Sequence, residues 1–152
     1  MPGSLPVVVT QQPGSVGGRQ VIEMGLSAAQ MVASAKGHIE NLTPDQVLAA
    51  LRDEAAAMID IREEAERRST GVLAGAHHVP RGMLEFHADP TSPWHDAVFD
   101  PEARIILVSA GGGRSALAVE TLQRMGFRRV AHLDGGIKAW IDQGLPVERL
   151  GE

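Results

Sequence analysis

Ile105 to Val108 is an unbroken apolar run with β-branched members, and the glycines Gly111, Gly112 and Gly113, then Arg114, follow almost at once. Such a run reads as a strand covered on both faces, which a parallel sheet between two helical layers provides. Glycines after a buried strand let successive N–H groups converge on one point. With a helix starting near Ser115, that convergence makes an anion cup at a helix N-terminus. Arg114 adds a permanent positive charge with forked donors. A plain strand-to-helix turn rarely needs three glycines followed by an arginine, so the arc Ala110 to Ser115 is the candidate binding site.

One core is expected, because 152 residues with 43% hydrophobic content suit a single domain. A net charge of −5 argues against a nucleic-acid or membrane surface, so the partner should be a small molecule. Without cysteine there are no disulfides and no Cys-ligated metals. No run approaches the ~18 apolar residues of a membrane span. Met1 to Thr10 lacks the basic start of a signal peptide, and a soluble, cytoplasmic protein is expected.

Residues 1–25, rich in Gly, Pro, Ser and Gln without a helical or strand period, read as a flexible N-terminal tail. Residues 26–37 read as a helix with Leu26, Ala29, Met31, Val32 and Ala35 on its apolar side. His38 to Glu40 could form a minimal strand. Thr43-Pro44-Asp45-Gln46 is a capping box with proline at the first helical position, opening a helix that buries Val47, Leu48 and Leu51 and ends near Asp53. Met58 to Ile61 reads as a strand with Asp60 and Arg62 at its C-terminal end, where sites in open α/β sheets lie. Asp60 is expected to cap the following turn rather than orient a loop arginine. Glu63 to Arg68 reads as a solvated helical face with Glu63/Arg67 and Glu64/Arg68 pairs.

Gly71 to Pro80 reads as a turn and a short strand, Arg81 to Phe86 as a helical turn, and Asp89 to Pro101 as a long loop. His77 and His78, adjacent on a strand, point to opposite faces, and His87 and His95 add no ligand spacing. Neither a metal nor a cofactor is expected. Ala116, Leu117, Val119, Leu122 and Met125 continue the helix after the glycine loop, with Gly126 as a left-handed cap. Val130 to Leu133 is the next strand, and Ile137, Trp140 and Ile141 form the apolar stripe of a last helix. The alternation of strands and helices indicates an α/β fold with a parallel sheet.

Asp60-Ile61-Arg62-Glu63, Gly71 to Pro80, Ser109 to Ser115, Leu133-Asp134-Gly135-Gly136, Trp140 and Gly144-Leu145-Pro146 follow one another in the order found in single-domain rhodaneses. Over residues 38–148 the chain resembles a rhodanese-like domain. The resemblance implies a five-stranded parallel sheet with helices on both faces and an active-site loop between the fourth strand and the next helix. It implies sulfurtransferase chemistry, in which a loop cysteine takes sulfane sulfur from thiosulfate or another donor as a persulfide and passes it to a thiol or cyanide. It places Ser109 at the position of the nucleophilic cysteine and Arg114 beside it. Ala110, Gly111, Gly112, Gly113 and Ser115 then form the substrate cup, with Asp60 and Arg62 behind.

Serine at 109 departs from that pattern at the reacting atom. A cysteine in such a loop is a thiolate at neutral pH, whereas a serine alkoxide needs an adjacent base, and none stands in Ala110 to Gly113. Oxygen cannot carry sulfur as a cysteine persulfide does, so the chain is expected to bind an anion without turnover. The alternative is a naturally inactive module that binds anions or a partner protein. A phosphatase-like reading is weaker, because the arginine-loop phosphatases place five residues between nucleophile and arginine and Ser109 to Arg114 leaves four. A dinucleotide reading rests on Gly111-Gly112-Gly113-Arg114-Ser115-Ala116 with Asp134 downstream, but only 18 residues follow Asp134.

Overall fold

The computed structural model describes residues 7–10 and 21–151, giving the backbone alone for residues 7–10 and 21–24. Strands β1 (Val7–Thr10) and β2 (Val21–Met24) pair antiparallel. This pair occupies eight positions of the stretch 1–25 in which no strand period is expected, and Val7 to Val9, Val21, Ile22 and Met24 are its apolar members. Residues 1–6 and 11–20 of the expected tail lie outside the described residues.

Helix α1 (Ala28–Lys36) opens on a Ser27/Gln30 capping box, and α2 (Pro44–Asp53) on the expected Thr43/Gln46 box. Between them β3 spans Glu40–Leu42, two residues later than expected, because Gly37 closes α1 and the strand register runs from Glu40 opposite Ala131 to Leu42 opposite Leu133. There follow β4 (Ala57–Asp60), α3 (Glu64–Thr70), β5 (His77–His78), a 3₁₀ turn over Arg81–Met83 and α4 (Leu84–Ala88). The last part comprises β6 (Ile105–Val108), α5 (Gly113–Arg124), β7 (Val130–Leu133) and α6 (Gly136–Asp142).

The five strands from β3 to β7 form one parallel sheet in the order β3-β7-β6-β4-β5, as the resemblance implies. Side chains alternate across it. Ile105 and Leu107 of β6 join Leu84 and Ala88 of α4 and Ala118, Val119 and Leu122 of α5 on one face. Ile106 and Val108 join Val47 and Ala50 of α2 and Ile137 and Trp140 of α6 on the other. Burial on both sides is why β6 is apolar throughout, and it brings its C-terminal end out between two helical layers. Some positions expected to be apolar contacts are exposed, namely Leu26, Ala29, Met31, Leu48 and Ile141. Among the described residues no helix is long and apolar enough to cross a membrane.

Candidate active site

At the end of β6 the chain turns through Ser109 to Gly112 and enters α5 at Gly113, two residues before the expected start. Of the three glycines only Gly112 needs to be one. It has φ +94°, and a Cβ there would sit 3.0 Å from the Gly135 nitrogen. Gly111 faces open space and Gly113 would make ordinary contact with Val32. The second glycine pair is what clamps the loop. Gly136, at φ +65°, lies so close that a Cβ would be 2.3 Å from the Ala110 carbonyl oxygen. This approach lets Ile137 N–H donate to Ser109 O (2.9 Å) and Lys138 N–H to Ala110 O (3.1 Å). With those carbonyls taken, the N–H groups of Ala110, Gly111 and Gly112 remain without an internal acceptor among the described residues.

Ser109 is fully buried. Its Oγ accepts the backbone N–H of Ser115 at 3.1 Å and stands 3.1 Å from Ser115 Oγ. Ser115 Oγ in turn meets His132 Nδ1 at 2.8 Å, and His132 Nε2 meets Asn41 Oδ1 at 2.7 Å. Burial pushes the His132 imidazole down to about 4, so the ring is neutral at ordinary pH. Ala110 to Gly113 of the loop offer no base. The structure brings an imidazole from β7 within one hydroxyl of Ser109.

Arg114 is half-buried and forms a two-pronged pair with Glu66 of α3, Nη1 to Oε2 at 2.8 Å and Nη2 to Oε1 at 2.7 Å. Its charge is therefore balanced, against the expectation of a full positive charge given to the cup. These bonds, with the Glu63 N–H assisting, hold the Glu66 carboxyl down at about 2. Asp60 does cap the following turn, accepting Arg62 N–H at 3.0 Å, and it also binds an arginine, which is Arg62 rather than Arg114. Arg62 is 1% exposed, and its remaining donors go to Thr70 Oγ1 (2.7 Å) and Gly71 O (2.8 Å). Arg67 is not on a solvated face as expected. It is buried, with Nη1 on Glu64 at 2.9 Å and Nε 3.4 Å from Asp60. Asp134, the downstream acid of the dinucleotide reading, pairs with Lys36 at 2.7 Å.

Because Glu66 titrates below its unfolded value of 4.5, its stabilising effect is complete above that pH and is lost as pH falls through about 2. Urea unfolding of Glu66→Gln should therefore show a shallower loss of stability over this acid range than the parent protein. The difference should be modest, because both side chains are about a third exposed and screened by solvent.

The profile of the rhodanese-like domain matches residues 43–143, two-thirds of the chain. The chain belongs to the rhodanese-like family. A thiosulfate sulfurtransferase of Glaesserella parasuis is 25% identical over 70% of this chain and 91% of its own. A Rhodopseudomonas palustris structure described as of unknown function and a possible tyrosine phosphatase is 35% identical, with a TM-score of 0.76 over 91% of this chain and all of that one. The polysulfide-sulfur transferase homodimer of Wolinella succinogenes is 27% identical, with a TM-score of 0.63 over 80% of this chain and 87% of that one.

In this rhodanese-like domain a cleft of about 500 Å³ opens beside the loop, lined by Arg62, Ala65, Glu66, Ala110, Ile137 and Ile141 among others. The half-exposed Ile141, an expected core residue, forms part of its wall. Three residues of the region escaped the sequence reading. Glu66 lies within the charged stretch Glu63 to Arg68, which reads as a solvated face. Asn41 carried no signal. His132 carried one, since a titratable side chain in a strand buried on both faces must find polar partners. Among the described residues no cluster of His, Asp and Glu is arranged to hold a metal ion.

Proposed function

We propose that this chain is a sulfurtransferase-type rhodanese-like domain in which Ser109 occupies the nucleophile's place and withholds turnover. The observation that carries the reading is Ser109 at the end of β6, with its Oγ on the Ser115 N–H at the start of α5. A sulfur in that position would sit on the same donor, beside the N–H groups of Ala110 to Gly112 and the Arg114 pair. Small sulfur oxyanions such as thiosulfate are the proposed ligands of the arc from Ala110 to Ser115. A thiol or cyanide is the proposed acceptor, entering by the adjoining cleft, and the proposed setting is the thiol-rich cytoplasm. The thiosulfate and polysulfide relatives support this substrate class.

Ser109→Cys should produce thiocyanate from thiosulfate and cyanide, whereas the parent protein should give none above background. A folded Ser109→Cys protein without activity would discard sulfur transfer. It would favour the second reading, a binding module for anions or a partner protein, which the burial of Ser109 and the neutralised Arg114 support.

Anion binding itself should be weak and salt-sensitive, because a site open to an acceptor is screened within ~8 to 10 Å at ordinary ionic strength. Glu66→Gln should tighten it by releasing the Arg114 charge, and Arg114→Ala should weaken it. Amide NMR shifts on titration with thiosulfate check both, and equal affinities in the two variants would place the ligand elsewhere.

A further inference from the structure

Ser109, Ser115, His132 and Asn41 form one row of side-chain hydrogen bonds, and its direction is fixed from the far end. The Asn41 amide nitrogen donates to the carbonyls of Lys36 (3.0 Å) and Ile39 (3.3 Å), so its oxygen is the atom that faces His132 Nε2 at 2.7 Å. Nε2 therefore carries the ring hydrogen, and Nδ1 is a bare acceptor. Ser115 Oγ, 2.8 Å away, must donate to it. Ser115 then meets Ser109 with lone pairs only, and the Ser109 hydroxyl gives its hydrogen to Ser115 Oγ at 3.1 Å.

We infer that His132, held by Asn41, is a positioning residue for the side chain at 109: by taking the Ser115 hydroxyl hydrogen, it makes residue 109 a donor and favours its protonated form. An O–H pointing at a sulfur favours the thiolate, since hydrogen bonds to a charged form stabilise it. Here that hydrogen is committed to the imidazole. Burial keeps the ring neutral, so Nδ1 stays a bare acceptor at ordinary pH. The charged groups acting on His132 are Asp134 and Lys36, which pair with each other. Those around the loop are Arg114 with Glu66 and Arg62 with Asp60, also paired. The inference rests on the proposed reading that residue 109 stands in the nucleophile's place.

Two measurements test it. In the unmodified protein, nitrogen NMR of the His132 ring should show the hydrogen on Nε2 and an accepting Nδ1 at neutral pH. A hydrogen on Nδ1 would overturn the inference, and this arm needs no variant to fold. In Ser109→Cys, the pH midpoint for alkylation by iodoacetamide should fall by about one unit on adding His132→Leu, the effect of one hydrogen bond to a charged group. His132→Gln, whose side-chain oxygen can accept the same hydrogen, should restore the midpoint. In a Ser115→Ala background His132→Leu should leave it unmoved. A purely structural His132 would lower the melting temperature and shift no midpoint, and an unchanged or raised midpoint in His132→Leu overturns the inference. Because alkylation needs no sulfur transfer, a shifted midpoint without thiocyanate would keep the relay and discard the proposed activity.

Discussion

Gly136→Ala should cost about 2 to 5 kcal/mol and lower the melting temperature by roughly 4 to 20 °C, the largest effect of any single methyl group in the loop region. The added carbon would lie 2.3 Å from Ala110 O, 2.5 Å from Ala110 C and 2.6 Å from Ser109 O. All three are backbone atoms, so no side chain can swing aside. The residue also sits at φ +65°, which disfavours any L side chain. Relief requires α6 and the loop to part, with loss of the Ile137 and Lys138 hydrogen bonds. Gly111→Ala supplies the control. Nothing lies within 4 Å of its Cβ, and the change should be neutral to within ~0.5 kcal/mol. Thermal unfolding of both variants decides the matter, and similar losses would mean that the clamp is not where the strain falls.

Asp60→Asn should destabilise by about 3 to 5 kcal/mol, the range for breaking a buried ion pair by removing one partner. Asp60 is 1% exposed and is the carboxylate that faces both Arg62 and Arg67. Asparagine keeps the shape and some hydrogen bonding but leaves two buried guanidinium groups, with only the partly exposed Glu64 nearby on Arg67. Combining Asp60→Asn with Arg62→Met should recover part of the loss, because an apolar group removes a charge that no longer has a partner. Denaturant unfolding of the single and double variants measures this coupling directly. Additive losses would show that the pair is not the source of the effect.

Legibility in the sequence followed the range of the interactions. The β6 run announced a strand buried on both faces because four adjacent residues carry the pattern. Thr43 and Gln46 announced the start of α2 because a capping box is closed within four residues. The glycine loop was found, but the division of labour among its glycines was not, since Gly112 is required by Gly135, far along the chain. Arg67 looked solvated because neighbouring acids offered helical pairs, while the partner that accompanies its burial, Asp60, lies on the preceding strand. Glu66 meets Arg114 across 48 positions, and His132 meets Asn41 across 91. Pairings of that span leave no local period to read, although a buried histidine in β7 was itself a visible anomaly.

The two hydrogen bonds from the start of α6 to the carbonyls of Ser109 and Ala110 make that helix a clock for the loop. An amide hydrogen exchanges with solvent once its acceptor has withdrawn. The Ile137 and Lys138 amides thus record how often the cup lifts away from α6. A ligand held by the arc alone should slow both together, whereas one that merely fills the neighbouring cleft need not touch the loop's opening rate. Exchange at two backbone positions outside the cup would then separate occupancy of the receptor from occupancy of its approach.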